Sequence, residues 1–331
     1  MSADLTLDVS ASLPFDEPSH VAASIHLPDA PRAALICWPG GSYGRAYWDM
    51  QIPGHPGYSF AEHMTAKGYL VLAADHLGVG ASSKPADGDR VGFETMSAAS
   101  AAFVEQVRGL LEQGAPELGG APLRGIPVVG VGHSLGACLT VVTQARYRCY
   151  DAVALLGFTH GQKDLAVSAV GAGALDPGAD EDVRRQTAIE QARAFFGDTW
   201  DDVYGLVPRG PNHGWLHRPD VPAAVVAADD AEAVRWPRQS YVDALLAGYS
   251  AEFAAQVDCS VFLGFGDHDV PPVPHHEVAF YTRSGDVTLY VLPDAAHCHN
   301  FATTRMRLWD RIDRWAGALP GRGNGDLRSS P

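Results

Sequence analysis

Polar and apolar residues alternate over positions 3–9, and a second such stretch follows at 21–27 after a proline-rich turn. This pattern predicts an antiparallel pair with one wet face. Four later stretches, 33–38, 69–75, 127–131 and 150–156, are almost continuously apolar. Runs of that length bounded by glycine and proline predict central strands covered on both faces. Between them the spacing becomes helical. Phe60 and Met64 lie in a segment, 58–67, stopped by Gly68, and Phe103, Val107, Leu110 and Leu111 share a face of a segment, 98–111, stopped by Gly114. Residues 137–146 continue as a third helix-compatible segment. Strands alternating with helices imply right-handed crossovers and a mostly parallel sheet.

From 158 to 258 this rhythm is lost. The Ala/Gly-rich stretch 166–179 reads as flexible, and helical patterns follow. Ile189, Ala192 and Phe196 share one face, Tyr241, Leu245, Tyr249 and Phe253 share another, and 221–226 fits either helix or strand. The sheet resumes at 260–265 and 287–292, and a last helix is expected to carry Phe301, Leu308, Ile312 and Trp315 inward. The expected organisation is a core of residues 1–157 and 259–318, a mainly helical lid inserted at 158–258, and a disordered tail at 319–331.

Composition narrows the class. With 46% apolar residues in 331, the chain has ample material for a buried core. A formal charge of -15 and a pI near 5.2 argue against a nucleic-acid partner, which would call for a basic patch, and read as solubility. No stretch resembles a secretory signal or a membrane span of ~20 apolar residues, so no membrane partner is expected. Five cysteines, Cys37, Cys138, Cys149, Cys259 and Cys298, lack paired spacing. They read as buried, reduced residues of a cytoplasmic protein. The sequence carries no signal for oligomeric state.

The chemistry centres on the third apolar run, which breaks into Gly132-His133-Ser134-Leu135-Gly136 and continues as helix. This reads as strand, sharp turn, helix. Such a turn strains the serine backbone, and flanking glycines remove the side chains that would collide. Ser134 would project from the strand end above the helix N-terminus, where the Leu135 amide can face an oxyanion. A serine hydroxyl needs a base, and the base needs an acid. Later strand ends offer both: Gly266-Asp267-His268-Asp269 after 260–265, and Pro293-Asp294-Ala295-Ala296-His297 after 287–292. The strand at 33–38 ends in Pro39-Gly40-Gly41-Ser42-Tyr43-Gly44, a loop whose amides a ligand can approach closely.

In that order the motifs resemble those of the α/β-hydrolase superfamily. Pro39-Gly40-Gly41 is similar to the family's oxyanion loop, and Asp75-His-Leu-Gly78-Val-Gly80-Ala-Ser82 to its D-x-x-G-x-G-x-S turn, where Asp75 would order the glycine turn. The likeness covers about 30–157 and 258–316. It implies an α/β-hydrolase fold, a mostly parallel sheet flanked by helices with an inserted lid. It also implies Ser134 as nucleophile and His297 as base. Both Gly264-x-x-Asp267 and Gly266-x-x-Asp269 fit the family's G-x-x-D; the following Val-Pro favours Asp269 as acid, with Asp267 the alternative. Leu135 and Gly41 would hold the oxyanion, with Ser42 as alternative to Gly41, because Trp38-Pro39-Gly40 stands where the family usually begins with His-Gly.

Tyr43 and Trp48 beyond the oxyanion loop, His133, and His160 and Trp215 in the insertion are candidate substrate-binding residues, each also explicable by packing. His268, His275, His276, His297 and His299, with Cys298, invite a metal reading, but the spacing matches no metal motif and a triad needs His297 free. No metal or cofactor is expected. The implied activity is cleavage of a carboxylic ester, lactone or thioester of a medium-sized apolar or aromatic small molecule through an acyl-enzyme on Ser134. A carbon–carbon bond hydrolase or a biosynthetic cyclase could use the same triad, and a ligand-binding protein the same fold. Serine at the turn argues against the aspartate-dependent dehalogenase and epoxide-hydrolase branches.

Overall fold

The computed structural model describes residues 2–161, 178–246 and 248–321. Its strands are β1 (Ser2–Asp8), β2 (His20–His26), β3 (Ala33–Trp38), β4 (Tyr69–Ala74), β5 (Val128–His133), β6 (Ala152–Leu156), β7 (Tyr204–Gly205), β8 (Trp236–Pro237), β9 (Ser260–Gly266) and β10 (Val287–Leu292). Eight form one sheet in the order β1-β2-β4-β3-β5-β6-β9-β10. The alternating stretches β1 and β2 pair antiparallel, β2 meets β4 antiparallel, and all other neighbours run parallel. β3, β4, β5 and β6 are buried at every position, as their unbroken apolar runs require.

The helices are α1 (Phe60–Ala66), α2 (Phe93–Gln113), α3 (Leu135–Tyr147), α4 (Glu181–Phe196), α5 (His213–Leu216), α6 (Ala223–Ala231), α7 (Arg238–Leu245), α8 (Tyr249–Ala254) and α9 (Arg305–Ala316). Successive strand residues serve opposite faces. Ile36, Leu72 and Val153 join Phe103, Val107 and Leu139 of α2 and α3 on one side; Leu35, Val71 and Val131 join Met64, Leu308 and Ile312 of α1 and α9 on the other. The result is a three-layer sandwich with β3 and β5 at its centre.

Several elements differ from their sequence pattern. Val225 and Val226 lie in the helix α6. The face shared by Tyr241, Leu245, Tyr249 and Phe253 is divided between α7 and α8, because Gly248 takes a left-handed φ of 77° before α8. Phe301 packs inward from a short turn, His299–Phe301, ahead of α9. The two-residue ribbon β7–β8 is too short to leave a periodic signal. The stretch 166–179, except its last two residues, and the tail beyond residue 321 lie outside the described residues. Among the described residues no helix is long and apolar enough to cross a membrane.

Candidate active site

β5 runs between β3 and β6 and delivers Ser134 at the carboxyl edge of the sheet's centre. Ser134 has φ 53° and ψ -123°, a conformation that costs a non-glycine residue about 1–3 kcal/mol. Its amide donates to the Leu156 carbonyl at 2.7 Å, and its carbonyl accepts from the Ala137 amide at 2.9 Å. A Cβ on Gly132 would sit 2.5 Å from the Gly136 carbonyl oxygen and 2.6 Å from Ala137 Cα, and one on Gly136 would overlap the Pro39 carbonyl. The turn therefore closes only with both glycines.

The loops after β9 and β10 complete a relay. His297 Nε2 lies 2.9 Å from Ser134 Oγ, and His297 Nδ1 lies 2.7 Å from Asp269 Oδ1. A carboxylate only accepts, so Nδ1 carries the proton and Nε2 is free to accept the serine hydroxyl. Asp269 Oδ1 also accepts the Val270 amide at 2.7 Å, and Oδ2 lies 2.7 Å from His299 Nε2. Burial alone would raise the Asp269 carboxyl; the electrostatic attraction and hydrogen bonds of the His297 and His299 ring N–H groups outweigh it and hold the acid well below the usual carboxylate range. Asp267 lies outside this relay. It binds His268 at 2.9 Å and accepts the Asp294 and Ala295 amides at 2.9 and 3.0 Å, clamping the two strand-end loops together.

Leu135 opens α3, so its amide has no intrahelical partner. Among the described residues neither it nor the Gly41 amide donates to another group. Gly41 borders the same cleft, and a Cβ there would overlap the Tyr241 hydroxyl. Ser42 has φ 65°, and its hydroxyl is 3.0 Å from Tyr241 Oη. The Ser42 carbonyl accepts the Val234 amide at 3.0 Å and Arg209 Nη2 at 3.2 Å, while the Tyr43 carbonyl accepts Trp236 Nε1 at 2.9 Å. The loop is thus held by residues of the 158–258 segment.

The cleft above Ser134 has a volume of about 100 Å³ and a mainly apolar wall, to which Phe158, Phe195, Leu216 and Leu245 contribute. Tyr43, His133 and Trp215 also line it. The Trp215 indole stacks on His297, ring centroids 4.3 Å apart. His133 is fully buried, its Nε2 2.8 Å from the His297 carbonyl. Burial first, then the neighbouring His297 and His299, push its pKa well down, so it stays neutral.

Trp48 and His160 lie away from the cleft. Trp48 is enclosed against Tyr47 and Phe60. His160 bonds Ser250 Oγ at 2.9 Å and Tyr281 Oη at 2.6 Å, and its amide donates to Glu277. All five cysteines are buried, and none is in a disulfide among the described residues. Among the described residues no group of three His, Cys, Asp or Glu side chains could hold a metal ion.

Arg209, Tyr241 and His299 escaped the sequence reading. Arg209 sits in a loop with no periodicity, and Tyr241 reads as one more apolar position of a helical face. His299 does carry a signal, its place two residues after His297, which the metal comparison absorbed.

A family model described as "Alpha/beta hydrolase family" matches residues 35–306. Among solved structures, a thermophilic esterase from Thermogutta terrifontis superposes with a TM-score of 0.63 at 14% identity, covering 96% of this chain and 99% of that one. A carboxyl esterase from Bacillus coagulans gives 0.62 at 18%, covering 96% and 98%. A monoglyceride lipase from Saccharomyces cerevisiae gives 0.63 at 14%, covering 92% and 94%. At these identities the likeness is one of fold. No curated protein matches the sequence.

Proposed function

This chain belongs to the alpha/beta hydrolase family, and from that premise we propose that it is a serine hydrolase acting on a carboxylic ester, lactone or thioester of a medium-sized apolar or aromatic small molecule. The observation that carries the reading is the continuous Ser134–His297–Asp269 relay opening on an apolar cleft. Ser134 Oγ attacks the acyl carbon while His297 Nε2 takes its proton, and Asp269 holds the imidazole and stabilises its cation. The Leu135 and Gly41 amides hold the oxyanion, each worth roughly 3 kcal/mol of transition-state stabilisation. His297 then protonates the leaving group, and water hydrolyses the acyl-enzyme by the same route.

The wall contributed by Phe158, Phe195 and Trp215 supports an apolar or aromatic acyl or alcohol group, with residues 158–258 acting as the lid. Tyr43, His133 and Trp215 remain candidates for substrate contact; Trp48 and His160 do not, since neither borders the cleft. Intact-protein mass spectrometry after exposure to a fluorophosphonate tests the reading. One adduct is expected on the unaltered protein and none on Ser134→Ala or His297→Ala. No adduct on the unaltered protein, with the probe shown to reach the cleft, would overturn it.

A further inference from the structure

Each oxygen of Asp269 faces an imidazole. His297 Nδ1 stands 2.7 Å from Oδ1 and His299 Nε2 stands 2.7 Å from Oδ2, with all three side chains enclosed. The carboxylate accepts only, so His299 Nε2 carries a proton. The Gly266 amide, 3.0 Å from that nitrogen and 3.2 Å from Oδ2, therefore donates to the carboxylate. His299 Nδ1 is buried without a hydrogen-bond partner. A neutral ring leaves only a lone pair unmatched there; a cation would bury an unpaired charged N–H beside His133 and His297, a far larger cost.

The surrounding backbone is shaped for two rings. Gly157, with φ 64°, follows β6, and a Cβ on it would come within 3.2 Å of His299 Cε1 and 3.3 Å of His297 Nδ1. Asp269 comes from the loop after β9, and His297, Cys298 and His299 from the loop after β10. From β5 comes His133, whose ring centroid is 5.4 Å from that of His299, with Tyr47 stacked on it at 4.6 Å. Burial pushes the Cys298 thiol and the Tyr47 phenol well up and His133 well down. Cys298, Tyr47 and His133 therefore stay uncharged beside the Asp269 carboxylate.

Resting on the hydrolase reading above, we infer that His299 is a positioning residue that shares the acid of the triad. Its Nε2–H fixes the carboxylate plane so that Oδ1 meets His297, and it draws off part of the negative charge that would otherwise tighten the hold of His297 on its proton. The sign is definite. A donor on Oδ2 lowers the pKa of His297 and keeps the base unprotonated to lower pH; loss of the donor raises that pKa.

The test is an NMR titration of the isotope-labelled His297 ring in Ser134→Ala protein, which needs no turnover. His299→Leu is expected to raise the His297 pKa by about half to one unit. His299→Gln, whose longer amide can bring an N–H to the same oxygen, is expected to return most of the shift. With Ser134 intact, the acid limb of kcat/KM on p-nitrophenyl esters moves the same way. Should the leucine variant fail to fold, His299→Asn, too short to reach Oδ2, takes its place with the same expectation. An unmoved His297 pKa in the variants lacking the donor, or a glutamine variant that titrates like leucine, overturns the inference. Absence of ester hydrolysis and fluorophosphonate labelling in the unaltered protein would instead overturn the hydrolase reading, and the titration would still decide the coupling.

Discussion

The Trp215 indole lies nearly parallel to the His297 imidazole, ring planes 16° apart and centroids at 4.3 Å. The backbones are tied as well: the His297 amide donates to the Trp215 carbonyl at 3.2 Å, and the Cys298 amide to the Leu216 carbonyl at 3.0 Å. An electron-rich ring face favours a cation, and imidazolium is the form that His297 would take in the proposed attack by Ser134. Trp215→Ala is expected to lower kcat on an activated ester about tenfold, while Trp215→Phe keeps most of the activity. Steady-state kinetics on p-nitrophenyl esters decides; equal losses in both variants would remove the stacking argument.

Backbone strain at Ser134 sets stability against turnover. Ser134→Gly relieves a left-handed φ that alanine retains, so the glycine variant is expected to exceed Ser134→Ala in stability by about 1 kcal/mol. Both should lose on the order of 10⁴-fold or more in kcat. Gly136→Ala should cost more than about 2 kcal/mol, because its methyl meets the Pro39 carbonyl. Urea unfolding of the three variants measures the order.

Asp229 is fully buried and accepts Tyr43 Oη at 3.0 Å and His217 Nε2 at 2.9 Å, with Arg209 Nη1 at 3.5 Å. Arg209→Met would leave that carboxylate without its cation and take a donor from the Ser42 carbonyl. A loss of about 3 kcal/mol is expected, and Arg209→Met with Asp229→Asn should cost less than the sum of the two single changes. A double-mutant cycle by chemical denaturation reads the coupling.

Asp269 gives the fold an acid dependence. Its folded pKa lies below that of the unfolded chain, near 3.9, so its contribution is full above about pH 4 and fades as pH falls towards the folded value. Thermal melts between pH 6 and pH 3 should show stability falling at the acid end, and Asp269→Asn should flatten that part of the curve. A variant with an unchanged slope would contradict the assignment.

The sequence made the sheet legible wherever one strand filled one apolar run. β3, β4, β5 and β6 are buried on both faces, and such strands need no register information to be found. Ser134 was equally plain, since a strand, a serine and two glycines leave little else that the backbone can do. Asp267 and Asp269 could not be separated by spacing alone; both turn towards the loop after β10, and they differ in what they meet there, Asp267 the Asp294 and Ala295 amides and Asp269 the His297 and His299 rings. Trp215, Arg209 and Tyr241 were harder for a physical reason. Their positions over the sheet depend on the path of residues 158–258, and nothing periodic encodes a path. Trp48 misled because an aromatic residue beside a ligand loop and one packed beneath it look the same in sequence.

One segment touches both halves of the proposed site: Val234, Trp236, Tyr241 and Arg209 grip the loop of Ser42 and Tyr43, and Trp215 and Leu216 grip the strand-end loop of His297. On the proposed reading, residues 209–241 are consequently no interchangeable module. Grafting a relative's segment onto this core to alter selectivity would remove the anchors of the His297 loop and the Ser42–Tyr43 loop together, and with them the base and oxyanion amides of the proposed mechanism. Redesign has to keep 209–216 and 234–241 and confine its changes to cleft positions outside them, such as Phe195 and Val207, which line the wall without bracing the relay.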